Sequence, residues 1–392
     1  MDYRFSDAQR RLVEEAFAFA RNELAPHADA WDRDSHFPLK AIARAASRGY
    51  LGLSVGPDHG GLGLGALDAS LVLEQLATGC GASAAFMALH TVAAWTLGRF
   101  GGHELKAHWL PRLVAGEARV AFALSEGPPW VKARRDGDEY RLDGLLGAVP
   151  GAAVSDLLLM DVDIEGDGAT LCLLPAGAEG VGFGEEASHA GWRAVSLRPL
   201  RLDGVTMPAS QRLGGEGQRV EALRQARDRA RLALAAVAVG NAQAALAQAL
   251  RAGLGPEHPQ CPSSGAETVP QALAEPYAAL IAGQQLVRLA AAQVDHDAPQ
   301  AGLLCAAAKR YTDLHGPRLC RAALQLQAGY GYLDDHAMDR RARDSDTQAG
   351  VLGNDDHLRA AIASRLRTSQ ALYELTPLAS DGEPRATTRG TS

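Results

Sequence analysis

The sequence predicts an α+β protein that is mainly helical, with a helical domain at each end of the chain and a β domain between them. Apolar residues recur at helical spacing near both ends of the chain, and short alternating runs occupy its middle. The composition is 47% apolar but only 5% aromatic. Ala, Leu and Gly dominate, and such small side chains favour close packing of helices.

Residues 1–118 are predicted to form the first helical domain. Ser6 and Gln9 have the spacing of a capping box, and the apolar residues that follow recur at helical spacing until Pro26. A glycine-rich break, GPDHGGLGLG, interrupts the later helical patterns at 56–65.

The pattern changes twice after this domain. Residues 119–213 contain short runs such as DLLLMDVDI and TLCLLPA, which predict a β domain. Helical spacing then returns over 214–372, which predicts a C-terminal four-helix bundle. The proline-rich residues 254–270 predict a loop inside the bundle, and residues 373–392 have the composition of a disordered tail.

Composition and charge exclude several classes of function. A chain of 392 residues is long enough for more than one domain, and its formal charge of -7 is spread along the sequence without a basic tract for nucleic acid. We find neither a signal pattern nor an apolar run that predicts a membrane span, so a cytoplasmic protein is expected. The cysteines form no CxxC pair, so neither a disulfide framework nor a metal site is predicted. They are Cys80, Cys172, Cys261, Cys305 and Cys320.

Three stretches carry a resemblance to a known family: EQLATGCGASAAFMALHTVAAW, GWRAVSLRPLRLDGVTMPASQRLGGEGQ and ALQLQAGYGYLDDHA. Along nearly its whole length the chain resembles the acyl-CoA dehydrogenases, most closely the short branched-chain, isobutyryl-CoA dehydrogenase-like branch. The resemblance implies an FAD-dependent reaction on an acyl thioester. A carboxylate removes the α-proton of the acyl group while the β-hydride passes to N5 of FAD.

The resemblance places the catalytic base at a residue that cannot serve as one. The family's glutamate falls on Leu352, and the alternative position, one residue before Arg231, is Ala230. Neither side chain accepts a proton. Asp355 and Asp356 are candidates for a displaced base, but aspartate at this point is also typical of the start of a helix.

The flavin-contacting elements of the β domain also depart from the family. The segment from Glu126 to Tyr140 is about seven residues shorter than the family pattern, so its Gly-Ser-Asp turn is missing and Ser125 is a weak remaining contact. The family's aromatic-Ile-Ser/Thr triplet, which lies against the flavin, falls on Ala-Val-Pro at 148–150. Stacking surface, hydroxyl group and one backbone donor are lost together.

A further family element meets the FAD of a neighbouring subunit. Its arginine falls on Pro256 and its phenylalanine on Pro259. By contrast Gln325, Gly329 and Gly331 match a retained turn that in the family mostly serves the adjacent subunit's FAD. The two glycines have the alternative role of permitting a turn between helices.

Other conspicuous residues have two interpretations each. Arg340 and Arg343 form either an anion clamp or an ion-pair network with Asp339 and Asp344 on one helix face. His90 is either a catalyst or a hydrogen-bonded core histidine.

The shortened segment has two interpretations of its own. Trp130 and the arginines at 134–135 either close the vacated flavin cleft or lie on an exposed hairpin.

The coincidence of these losses at one site predicts an acyl-CoA dehydrogenase fold with a degenerate active site. The expected function is a non-catalytic structural or regulatory subunit, or a protein that binds acyl-CoA or an acyl carrier protein thioester without turnover. FAD binding is expected to be weak or absent. The alternative is an FAD-dependent dehydrogenase of short branched acyl thioesters with a displaced base.

The apolar helices at 229–250 and 302–326 predict a homo-oligomer, or a hetero-oligomer with an active paralogue.

Overall fold

The computed structural model of this chain describes residues 5–215, 217–254, 268–326 and 337–368. Its elements follow the predicted order of helices, sheet and helices, so the α+β, mainly helical fold class is confirmed. The predicted tail at 373–392 and residues 255–267 of the predicted loop lie outside the described residues.

A capping box opens the first helix, as the sequence predicts. The Ser6 hydroxyl accepts a hydrogen bond from the backbone N–H of Gln9 at 3.2 Å, and the Gln9 side chain accepts one from the backbone N–H of Ser6 at 3.1 Å. The helix continues through one π-helical turn to Leu24 and so ends before Pro26. The N-terminal helices are α1 (Asp7–Phe19), α2 (Ala28–Arg33), α3 (Leu39–Ser47), α4 (Ala66–Gly79), α5 (Gly81–Phe100) and α6 (His103–Val114).

The middle of the chain forms one mixed sheet. Its strands pair in the order β6-β7-β3-β2-β4-β5-β8, and β1 pairs with β4. Only the β1–β4 and β2–β4 pairs are parallel among the described strands. The strands are β1 (Val120–Ala123), β2 (Val131–Asp136), β3 (Glu139–Pro150), β4 (Leu157–Ile164), β5 (Gly168–Pro175), β6 (Val181–Phe183), β7 (Leu197–Pro208) and β8 (Arg212–Leu213).

The sheet is covered on both faces near β1. Val120 and Phe122 pack into the helical core, while Ala121 and Ala123 belong to a second core inside the β domain. Neighbouring side chains of a strand point to opposite faces, so a strand that is apolar at every position must be buried on both sides. This explains why the sequence shows continuous apolar runs here.

The C-terminal helices pack around α7. Helix α8 begins at Thr268, two residues before the end of the predicted loop, because Pro270 is tolerated in a first helical turn. A turn at 349–354 separates the last two helices, so five helices are present among the described residues of this region. They are α7 (Arg219–Leu254), α8 (Thr268–Asp295), α9 (Ala301–Gln325), α10 (Ala337–Gln348) and α11 (Asp355–Thr368).

Helix α7 is the central helix of the bundle. Its length and composition would allow it to cross a membrane, but 78% of its most apolar 18-residue stretch is buried inside the protein, as expected of a core helix. A Cβ atom added at Gly240 would lie 1.9 Å from the backbone oxygen of Glu74 on α4. Glycine at this position therefore allows the backbones of α4 and α7 to approach each other closely.

We predict that Gly240→Ala destabilises the protein by about 1–3 kcal/mol, because overpacking outweighs the roughly 1 kcal/mol gain in helix propensity. Urea unfolding measures the change. Gly98→Ala on α5 is the matched control, since the nearest atom to its added Cβ is 3.7 Å away. Equal stabilisation by both substitutions would contradict the close helix contact.

His90 of α5 is a core histidine, as the second interpretation holds. Its Nε2 lies 3.2 Å from the backbone oxygen of Leu113, and its Nδ1 accepts a hydrogen bond from the backbone N–H of Val120 at 3.2 Å. These partners require a neutral ring with the proton on Nε2. Burial lowers the pKa of His90 from 6.5 to about 4.

We predict a loss of stability as the pH falls from about 6.5 to about 4, because the unfolded chain binds a proton at His90 in this window and the folded chain does not. A shift of this size corresponds to about 3 kcal/mol at most. Unfolding free energies of His90→Gln, measured across this window, should depend less steeply on pH than those of the wild type. The exposed His103→Gln is the control, and a wild-type slope in His90→Gln would refute the assignment.

Candidate functional site

A cleft of about 200 Å³ opens where the sheet meets the turn between α10 and α11. Its walls are residues 122–125 at the end of β1, residues 146–150 of β3, and residues 350–352 of the turn, with Leu89 and Trp130 at its margins. Three of these regions, at Ser125, 148–150 and Leu352, are ones that the resemblance to the family singles out separately in the sequence. The fold brings them together in one cleft.

Leu352, at the family's base position, faces this cleft. Its side chain lines the cavity, the residue is only 9% exposed, and its backbone is left-handed, with φ of 58°. A left-handed conformation is costly for a leucine and is often found at functional sites. The next residue, Gly353, has φ of 98°, and a Cβ there would lie 3.2 Å from the side chain of Glu126. The turn is therefore tight and packs directly on Glu126.

A buried ion pair lies behind this turn. The Glu126 carboxylate accepts a hydrogen bond from Arg231 of α7 at 2.5 Å, and the two side chains are 9% and 6% exposed. The second carboxylate oxygen of Glu126 is buried without a hydrogen-bond partner among the described residues. Ala230, at the alternative base position, is fully buried in the helical core.

A second carboxylate is held in the same way. Asp161 of β4 is fully buried, accepts a hydrogen bond from the backbone N–H of Ser125 at 2.8 Å, and pairs with Arg227 at 2.9 Å. Burial raises the pKa of Asp161, against the opposing effect of the Ser125 N–H and the Arg227 guanidinium. Sequence reasoning missed Asp161 and Arg227. The available signal was the spacing of Arg227 and Arg231, four residues apart on one face of a helix.

Asp355 and Asp356 lie in the first turn of α11 and do not line the cleft. Asp355 pairs with Arg310 at 2.7 Å and with Arg359 at 2.8 Å. The helix is capped by Asn354, whose side chain accepts a hydrogen bond from a backbone N–H in the first turn at 3.1 Å. Both aspartates follow the capping residue, and neither of them forms the cap.

Arg340 and Arg343 are engaged in ion pairs with α2. Arg340 pairs with Asp29 at 2.8 Å and Arg343 with Asp32 at 2.7 Å. The predicted partner Asp339 also pairs with Arg343, at 2.6 Å. The contribution of α2 was not apparent from the sequence.

The remaining candidates divide between the rim of the cleft and the surface. Trp130 lines the cleft but is 70% exposed. The arginines at 134–135 lie on the β2–β3 hairpin, where Arg134 is 3.9 Å from exposed Glu165. Gln325 is the exposed last residue of α9.

Four sequence-based candidates fall outside the described residues: Gly329, Gly331, Pro256 and Pro259. Within the described ranges, no group of three or more His, Cys, Asp or Glu side chains is arranged to hold a metal ion.

Comparison with known proteins agrees with this architecture. Residues 6–117 match the model of the acyl-CoA dehydrogenase N-terminal domain, and residues 220–367 match that of the C-terminal domain. Mitochondrial isobutyryl-CoA dehydrogenase of Bos taurus is 29% identical over 376 residues, covering 92% of this chain and 89% of that protein.

Two solved structures share the fold over almost the whole chain. Butyryl-CoA dehydrogenase of Megasphaera elsdenii superimposes with a TM-score of 0.86 at 24% identity, covering 94% of this chain and 100% of that chain. The prolyl acyl carrier protein oxidase AnaB superimposes with a TM-score of 0.85 at 23% identity, covering 93% and 100%. These likenesses show the fold, and the two matched domain models, which cover more than half of the chain, show that it belongs to the acyl-CoA dehydrogenase family.

Proposed function

We propose that this chain is a non-dehydrogenating member of its family, a structural or regulatory subunit that assembles with itself or with an active paralogue in the cytoplasm. One observation carries the proposal. Among the described residues that line the cleft, none has a side chain that can act as a general base near neutral pH. The residue at the family's base position is Leu352.

The carboxylates around the cleft are committed elsewhere. Glu126 is paired with Arg231, Asp161 with Arg227, and Asp355 with two arginines at the protein surface. Each of these carboxylates is held by an arginine, and none of them is among the described side chains that line the cleft. This geometry disfavours a dehydrogenase with a displaced base.

The family is FAD-dependent, but the described residues of this cleft do not fit a flavin held in the family's manner. The cavity of about 200 Å³ is smaller than the roughly 300–1,000 Å³ of common ligand sites. Ala148 offers no ring to stack on, and Pro150 offers no backbone N–H. The Ser125 hydroxyl is the one hydroxyl in the described wall.

A partner subunit is supported by apolar side chains on the outer surface of the bundle. Helix α7, on which the sequence argument for an oligomer partly depended, is already buried inside the chain. On α8 and α9, however, Tyr277 is 56% exposed, Ile281 37% and Leu314 38%. Exposed apolar residues grouped on packed helices favour an interface. In such an assembly the chain would contribute scaffold, and its cleft would hold at most a small acyl group of a CoA or carrier-protein thioester.

The first prediction of this proposal is that the purified chain has no stoichiometric flavin absorbance near 450 nm. It also should not dehydrogenate isobutyryl-CoA with an added electron acceptor. Loss of a positioned general base alone costs about 10²–10⁴-fold. Leu352→Glu should remain inactive, because it restores a carboxylate but not the flavin contacts.

Asp355→Ala and Asp356→Ala test the alternative. Flavin-dependent turnover by the wild type, lost in either variant, would show that the base has moved and that the proposal is wrong.

The second prediction concerns assembly. Ile281→Glu places a charge within the apolar surface of α8 and should lower the molar mass measured by light scattering, because a buried unpaired charge weakens an interface. Val220→Glu is the control, since Val220 is 78% exposed at the start of α7. A wild-type chain of monomeric mass, without and with candidate paralogues, would refute the subunit proposal.

A further inference from the structure

A second cavity, of about 240 Å³, lies away from the cleft. It opens between the first turns of α7, the end of α5, and the connection from α8 to α9. Its wall is rich in charge and includes Arg99, Arg224 and Arg229. None of its lining residues lines the cleft described above.

Two of the three carboxylates that line this cavity, Glu221 and Asp228, are paired with arginines. Glu221 accepts two hydrogen bonds from Arg224, at 2.5 and 2.8 Å. Asp228 is 4% exposed and pairs with Arg365 at 2.8 Å and with Arg224 at 3.4 Å. Arg224 is thereby shared between two anions. These groups form one ion-pair network. Asp297 is a third carboxylate of the cavity wall and lies outside this network.

Arg229 has no anionic partner within the part of the chain that the structure describes. Its guanidinium stacks on the Trp95 ring, 3.9 Å from the ring centroid, and makes no hydrogen bond or ion pair there. Burial lowers the pKa of Arg229, while the more distant charges of Asp295 and Asp297 act in the opposite direction. Arg229 is partly buried, and its guanidinium N–H donors remain available to a ligand in the cavity. Arg99, which also lines the cavity, is exposed and lacks a described ion-pair partner.

The shape of the cavity is fixed by close packing at Gly302. A Cβ atom there would lie 2.3 Å from the Asp228 carboxylate, so any larger residue would displace the network. Gly302 is the second residue of α9, a helix that begins without a side-chain cap. The backbone of this wall therefore adds partial positive charge to that of the two arginines.

We propose that this cavity binds a small oxyanion, a carboxylate or a phosphate, with Arg229 and Arg99 as its cationic ligands. Guanidinium groups bind both classes of oxyanion through paired N–H donors. The cavity volume of about 240 Å³ limits the ligand to a compact metabolite, below the size of typical drug-like ligands. The site does not depend on the proposed subunit function, since it uses none of the cleft residues.

The test is isothermal titration of the full chain with inorganic phosphate and, separately, with succinate, at an ionic strength held constant with chloride. Saturable binding of either probe is expected, and the tighter one identifies the oxyanion class. Arg99→Gln should weaken binding by about tenfold or more, as the loss of a charged hydrogen bond does. Arg229→Gln should abolish binding.

Arg201→Gln is the matched control, because Arg201 is an exposed arginine of β7 paired with Asp203 at 3.0 Å. It should bind as the wild type does. Arg99 is exposed and makes no described hydrogen bond or ion pair, so Arg99→Gln remains informative even if the loss of Arg229 from the Trp95 ring prevents folding. The proposal is overturned if the wild type binds neither probe, or if Arg99→Gln binds as tightly as Arg201→Gln.

Discussion

The buried ion pair between Arg231 and Glu126 holds the β domain against the helical bundle. Arg231 lies within α7, Glu126 follows β1, and the side chains are 6% and 9% exposed. Buried charges need a partner close by, and removing one member of such a pair typically costs about 3–5 kcal/mol. The pair of Arg227 with fully buried Asp161 lies one helical turn earlier and has the same requirement. The placement of the sheet on the bundle thus depends on two arginines of one helix face.

These pairs also determine the chemical character of the cleft. The two carboxylates of these pairs, Glu126 and Asp161, do not line the cavity, and the side chains that line it are mostly apolar and include Leu352. The left-handed backbone at Leu352 and Gly353 shows that the turn keeps a demanding geometry although the residue there cannot transfer a proton. The turn packs directly on Glu126, the carboxylate of the ion pair, so the pair and the turn are in contact.

Helix α7 distributes its charges between two sites. Arg227 and Arg231 point to the β domain, while Glu221, Arg224 and Asp228 form a separate network beside the second cavity. Asp228 also lies 3.7 Å from Arg231, so the two groups of charges are adjacent. Arg229 belongs to neither network, although it lines the same cavity as the second one, and its guanidinium stacks on Trp95. A single helix therefore supports the domain junction and borders a cavity with an unpaired cation.

The order of helices and strands, the capping box at Ser6 and the lack of a proton acceptor at Leu352 follow from the sequence alone. Helix periods and caps are local patterns, since they join residues three or four positions apart. The identity of the side chain at position 352 is read directly from the sequence. The pairing of distant charges, by contrast, depends on the tertiary structure. The partners of Arg231 and of Arg340 lie 105 and 311 positions away along the chain. No local pattern encodes such distances, because they are set by the packing of whole helices and sheets, and that packing also left Arg229 without an anion among the described residues.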